Sequence, residues 1–219
     1  LDKLGLDVPE TTEEFKDMLI AFRGQDPNGN GKKDEIPYLS WMGWGGSSPF
    51  GYMIDPFELS TDFFKEADGT VVYKRNTDGF RDGLAYMRDL YAEGLITEET
   101  FVQDMTQLYS VVAATDESSV VVGCSSGIWQ GMFCDNTGVN QQSEYIAIPP
   151  LKGPTGLRQT ATTCPDGMGV CVISIVGSGE GISVGLDVSA TLPNAARVRS
   201  YTPSPAIKKR NAAIATRTQ

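Results

Sequence analysis

The chain has 219 residues and contains no histidine. That removes the side chain whose ordinary pKa lies nearest neutrality, and with it the Ser-His-Asp triad and histidine-ligated zinc. Its four cysteines, Cys124, Cys134, Cys164 and Cys171, make no C-x-x-C pair. Zinc ribbons and thioredoxin-like redox motifs are thereby disfavoured, while buried thiols and disulfides both stay open. No apolar run reaches the roughly 18 residues of a membrane span, and no signal peptide is visible. Positive charge is scarce: 18 Lys and Arg stand against 28 Asp and Glu, a net of −10. Nucleic acid and anionic membrane surfaces are poor partners for such a chain, whereas cations and neutral polar ligands suit it. The deficit is local. Residues 1–150 carry a net of −15, and residues 151–219 a net of +5.

Within the acidic region a single stretch stands out, DPNGNGKKDEIP at 26–37. Asp26, Asn28 and Asn30 alternate, Gly31 takes the sixth place of a D-x-N-x-N-G run, and Asp34 and Glu35 follow. Alternate oxygen-bearing side chains with a glycine at the sharp turn are the opening of an EF-hand loop. Position 12 of such a loop, normally a bidentate Glu, is Pro37; Glu35 stands at position 10, and a shorter loop could close with Asp34 and Glu35 together. Lys32 would contribute only its backbone carbonyl. Hard oxygen donors without His or Cys favour Ca2+ over transition metals. A solvated Asn-Gly turn is the competing reading, and the adjacent DE pair weighs against it. With no exiting helix apparent, the expected role is structural.

Around this loop the pattern alternates helix and strand, which indicates α/β architecture. Residues 9–24 predict a helix with a T-x-x-E capping box at Thr11 and Glu14. Phe15, Met18, Leu19 and Phe22 form its apolar stripe, and Gly24 stands at its C-cap. Residues 62–75 read as a hairpin. Residues 77–94 read as a second helix, with Phe80, Leu84, Met87 and Leu90 on one face, Phe80 and Leu84 assigned to the core with Phe15 and Phe22 of the first helix, and Gly94 at its end. A short helix is expected near 97–108. Strands are expected at 119–123, 145–150 and 167–174, with a turn beginning at Ser125. Beyond about 175 there is no convincing apolar period, and a disordered tail is expected.

These pieces resemble one family. LDKLGLDVPETTEEFKDMLIAFRGQDPNGNGKKDEIPY, GLAYMRDLYAEGLI, VVVGCSSGIWQ and YIAIPPLKGPTG are similar to stretches of the extracellular solute-binding proteins of ABC importers. The large Gram-positive carbohydrate-binding lipoproteins related to the alginate-binding proteins are the nearest group. The resemblance implies a type II periplasmic-binding-protein-like lobe, incomplete. Residues 1–154 would be mostly the C-terminal lobe, 155–174 the crossover toward the other lobe, and 175–219 a divergent tail. It implies Ca2+ held by Asp26, Asn28, Asn30, the Lys32 carbonyl, Asp34 and Glu35. It also implies a cell-surface lipoprotein whose only membrane attachment is a lipid anchor on an N-terminal segment this sequence lacks, working with an ABC permease. The chain starts without methionine, as one cut from a longer protein would, and it lacks the helix that follows in the family. Either a disrupted reading frame near 173–180 or a native divergent tail accounts for that.

Sugars stack their C–H faces on aromatic rings and need a few polar partners. Trp41 and Trp44, in SWMGWGG, and Trp129, just past a strand end where α/β ligands bind, are the candidate platforms. In proteins of the resembling family an aromatic at the turn of Trp129 stacks on the sugar. Tyr52 and Asp55 are weaker candidates. The expected function is binding without catalysis, of an oligosaccharide first and of a peptide or other polar solute as the open alternatives. The main alternative is a fragment of a calcium-stabilised extracellular glycoside hydrolase, for which no carboxylate pair stands in a recognisable strand-end context. A dockerin-like module would need two such loops and a short chain, and the sequence has a single D-x-N-x-N-G run.

Overall fold

The first α-helix, α1 (Thr12–Gly24), starts where its capping box lies: Glu14 N–H donates to Thr11 Oγ1 at 3.1 Å, and Thr11 N–H donates to Glu14 Oε2 at 3.2 Å. It buries Phe15, Met18, Leu19 and Phe22, the four residues of its apolar stripe. Its end differs from expectation. Gly24 remains helical and Gln25, in extended conformation, is the C-cap, because the chain leaves at once into the 26–35 loop without a left-handed residue.

The computed structural model describes residues 1–43, 48–66, 68–114, 116–127, 145–159 and 170–174, the last as backbone. All lie in one unit, Leu1–Ile182; the second unit, Ser183–Gln219, is outside the described residues, and so is the expected disordered tail. After α1 come β1 (Ile36–Tyr38), α2 (Pro49–Ile54), β2 (Phe63–Lys65), β3 (Val71–Tyr73), α3 (Asp78–Ala92), α4 (Glu99–Val102), α5 (Met105–Val112), β4 (Val122–Gly127), β5 (Tyr145–Ile148) and β6 (Val170–Ser174).

Four strands form a mixed sheet in the order β1-β4-β6-β5. β1 and β4 run parallel, Ile36 beside Val122 and Tyr38 beside Cys124, while β6 is antiparallel to both β4 and β5. β2 and β3 make the separate hairpin expected around 62–75. Its Lys74 Nζ lies 2.9 Å from Glu66 and 3.3 Å from Glu58, and 5.2 Å from the centre of the Phe64 ring.

Three expectations are corrected. The strand read at 119–123 begins three residues later and runs through Gly127, so Ser125 lies in the strand and not in a turn. Residues 117–119 form a 3-10 turn instead. The helix near 97–108 is two helices, divided where Asp104 caps α5 through the Gln107 N–H at 2.8 Å. On α3, Phe80, Met87 and Leu90 are buried but Leu84 is 40% exposed. Gly83 takes its place against α2, and a Cβ built there would stand 2.9 Å from Ile54 Cγ2 and 3.1 Å from Ile54 Cα. The α2–α3 approach is therefore set by a missing side chain, which apolar spacing does not register. Gly94 closes α3 as expected, at φ 67°.

The segment after β5 is fastened to the entry of α1. Lys152 N–H donates to the Glu10 carbonyl at 2.7 Å, Thr12 N–H donates to the Lys152 carbonyl at 3.2 Å, and Arg158 Nη2 lies 3.1 Å from Glu10 Oε2.

Glycine in a helix interior normally costs roughly 0.5–1 kcal/mol relative to alanine. Gly83→Ala nevertheless destabilises the fold, by about 1–3 kcal/mol of overpacking against Ile54. Leu84→Ala, on the exposed side, costs less than about 1 kcal/mol. Urea midpoints of the two variants check this ordering; a stabilising Gly83→Ala would show that the helices are not in contact there.

Candidate functional site

Two neighbouring features, the 26–35 loop and the C-terminal rim of the β1–β4 pair, flank β1. The loop wraps on Asp26. Its Oδ1 accepts from Asn30 N–H at 3.0 Å and its Oδ2 from Gly31 N–H at 2.7 Å. Gly29 and Gly31 sit at φ 70° and 75°, the left-handed region that L side chains rarely adopt, so the turn requires them. Asn28 is buried, and its Nδ2 donates to the Val120 carbonyl at 3.1 Å. Asn30 Nδ2 donates to the Ser118 carbonyl at 3.0 Å and to both Asp34 carboxylate oxygens at 3.1 and 3.2 Å. Asn30 Oδ1 accepts from Lys32 N–H at 2.7 Å. The loop is thus tied to the segment that leads into β4.

Glu35 differs from the rest. Its Oε1 is buried with no hydrogen-bond partner. Burial raises its carboxyl above the ordinary carboxylate range; a backbone hydrogen bond opposes this, and the charges of Asp34 and Asp26 push the same way as burial. Among the described residues no group of three or more His, Cys, Asp or Glu side chains is close enough to hold a metal ion. Hydrogen bonds link Asp26, Asn28, Asn30 and Asp34 within the loop, and one buried carboxylate oxygen of Glu35 has no hydrogen-bond partner. Oxygen-bearing side chains of this kind are the ligands that hard cations take.

The rim is made of buried hydroxyls. Ser40, Ser125, Ser126 and Thr100 are all buried. Tyr38 OH and Ser126 Oγ are hydrogen-bonded across the parallel pair. Ser40 Oγ donates to the Ser126 carbonyl at 3.3 Å, and Ser40 N–H to Thr100 Oγ1 at 3.3 Å. Gln103 Nε2 donates to the Ser40 carbonyl at 2.6 Å. This network joins β1, β4 and α4 at the end of the sheet where open α/β folds take ligands. No sequence motif announced it: isolated Ser, Thr and Gln carry no periodic signal, and topology alone brings them together.

Trp41 follows directly. Its indole is half-buried against the cluster of Leu39, Leu108, Val112, Val122 and Tyr145, and its Nε1 is buried with no acceptor. A Cβ on Gly43 would stand 1.8 Å from Trp41 Cζ3, so the ring lies over the Gly43 backbone. Trp44 and Trp129 lie outside the described residues. The weaker candidates have structural partners: Tyr52 packs edge-on to Phe15 with centroids 5.5 Å apart, and Asp55, 1% exposed, accepts from Ser60 N–H at 2.8 Å.

The described region is a periplasmic-binding-protein-like α/β fold, the architecture of solute-binding proteins. No family model matches the chain. It is 31% identical over 180 residues to the fructooligosaccharide ABC transporter substrate-binding protein FusA of Streptococcus pneumoniae serotype 4 (strain ATCC BAA-334 / TIGR4), covering 77% of this chain and 30% of that protein. It is 31% identical over 171 residues to lipoprotein LipO of Bacillus subtilis (strain 168), covering 77% and 34%. Among solved structures, FusA carrying an EF-hand mutation, in complex with fructo-nystose, superimposes with a TM-score of 0.61 at 30% identity, over 80% of this chain and 34% of that one. The chain is a homologue of the ABC-transporter substrate-binding proteins and spans about a third of the length of the relatives it matches.

Gly43→Ala should drive the indole of Trp41 off its seat. The expected result is a change in tryptophan emission that disappears in a Trp41→Phe background. An unchanged spectrum in the wild-type background would mean that Gly43 does not position the ring.

Proposed function

We propose that this chain is a portion of the substrate-binding component of an ABC importer for oligosaccharides, with a structural Ca2+ in the 26–35 loop. The observation that carries the reading is the likeness to FusA over 77% of the chain. The ligand platforms are Trp129, Trp44 and Trp41. The hydroxyl network behind Trp41 keeps the rim rigid, so little ordering entropy is lost when a sugar arrives. The protein acts as a binder and leaves the sugar intact. Its partner is an ABC permease. Its place is the outer cell surface, tethered by a lipid anchor, as the name of LipO supports.

Ca2+ would be held by Asp26, Asn28, Asn30, the Lys32 carbonyl, Asp34 and Glu35. The cation supplies the counter-charge that Glu35 Oε1 lacks. Asn30 Nδ2 now stands against both oxygens of Asp34, where a cation would otherwise be attracted. Since Asn28 and Asn30 also hold the carbonyls of Val120 and Ser118, the ion stiffens the start of the β1–β4 pairing, on the opposite end from the rim.

Thermal unfolding with Ca2+ and with excess EGTA tests the ion. At 100 times its dissociation constant a ligand of the folded state adds about 2.7 kcal/mol, and Asp26→Ala should abolish the gain. Equal melting temperatures in both media would reduce the loop to a surface turn. Calorimetric titration with kestose and fructo-nystose, the sugars bound by FusA in its solved complexes, tests the ligand class. The expected outcome is binding with the sugars recovered unchanged by chromatography. Cleaved sugars would favour the glycoside-hydrolase alternative.

A further inference from the structure

A second surface, on the outer side of the helix whose Thr100 joins the rim, is built the wrong way round for contact with water alone. Helix α4 buries its polar Thr100, at 0% exposed, and turns its apolar residues outward: Phe101 is 37% and Val102 74% exposed. A surface helix ordinarily does the reverse. Nearby in the chain Met105 is 37% exposed, and on α3 Leu84 is 40% and Tyr91 44% exposed. Leu84 and Tyr91 are two turns apart on one face of α3. The Tyr91 and Phe101 rings meet edge to face with centroids 5.9 Å apart, so the exposed apolar surfaces of the two helices join.

The charge around this patch has one sign. Residues 78–105 hold seven acidic side chains against Arg81 and Arg88. Both arginines are engaged, Arg81 3.2 Å from Asp78 and Arg88 2.6 Å from Asp89. Glu93 is paired with Lys16 at 2.6 Å. Glu98 and Glu99, exposed beside Phe101 and Val102, make no ion pair among the described residues.

We propose that this α3–α4 face docks a cationic amphipathic protein segment, one that presents aliphatic side chains to Val102, Phe101 and Tyr91 and lysines or arginines to Glu98 and Glu99. Apolar anchors supply the affinity of such a contact, and rim charges supply its on-rate and selectivity. The same charges oppose the other occupants. A second copy of this chain would set acid against acid, and an anionic surface would be repelled. The inference is independent of the sugar and calcium readings.

The test uses the full chain and two synthetic peptides of equal charge: a leucine–lysine peptide with its leucines on one helical face, and a lysine–serine control. The leucine–lysine peptide should bind roughly tenfold more tightly than the control, as expected for contacts with a few anchors. Phe101→Ser combined with Val102→Ser should remove that advantage. Glu98→Gln combined with Glu99→Gln, which leaves the apolar residues and the buried Thr100 untouched, should flatten the salt dependence. Phe63→Ser, which removes an exposed aromatic from the β2–β3 hairpin, should change nothing. Three results would each overturn the proposal: equal binding of the two peptides, equal loss with Phe63→Ser, or a dimer in sedimentation that Val102→Ser disperses.

Discussion

The arrangement hangs on the parallel pairing of β1 with β4. Only three residues of β1 are in the ladder, yet both candidate features are attached to its ends. The 26–35 loop enters it, and the hydroxyl rim and Trp41 leave it. Three residues cannot hold such a strand by ladder hydrogen bonds alone, each worth about 1 kcal/mol net. The flanking contacts supply the rest. Asn28 and Asn30 fasten the entry to the carbonyls of Val120 and Ser118, and Tyr38 and Ser40 fasten the exit to Ser126. Register is thereby set at both ends, and a one-residue slip would turn the buried Tyr38 to the opposite face.

These fastenings explain why an acidic loop is tolerable at such a place. Asp26, Asp34 and Glu35 repel one another, and burial raises the cost for Glu35. Backbone N–H groups of Asn30 and Gly31 screen Asp26, and the Asn30 amide screens Asp34. Glu35 Oε1 alone has no such partner. The loop is organised by its own hydrogen bonds and leaves one buried carboxylate oxygen, Glu35 Oε1, without a hydrogen-bond partner.

Much of the fold was legible because it rests on local chemistry. The capping box of Thr11 and Glu14, the stripe of Phe15, Met18, Leu19 and Phe22, and the cap of α3 at Gly94 depend on neighbours three or four residues apart. The alternation of helix and strand placed the chain in the α/β class, and the motifs around the loop pointed to the solute-binding proteins. The failures are equally specific. Helical spacing puts Leu84 near Phe80 and Met87 and so predicts a core position, but the close approach of α2 to Gly83 turns it outward. The strand at 119–123 was placed three residues early because the apolar run SVVVG is more conspicuous than the small polar CSSG that forms most of β4.

By itself the sequence determined what short-range physics controls: the start of α1 and the close of α3, the glycine-dependent turn around Asp26, the oxygen-rich composition of that loop, and the exclusion of histidine chemistry. Only the tertiary structure decided which residues meet. Tyr38 and Ser126 are 88 positions apart, Asn28 and Val120 are 92, and Thr100 lies against Ser40 across 60. Strand order is a long-range choice, made by how helices and sheet bury their apolar faces together, and no local pattern encodes it. The same choice buries Thr100 and exposes Val102 on α4, an inversion that three adjacent letters of sequence cannot show.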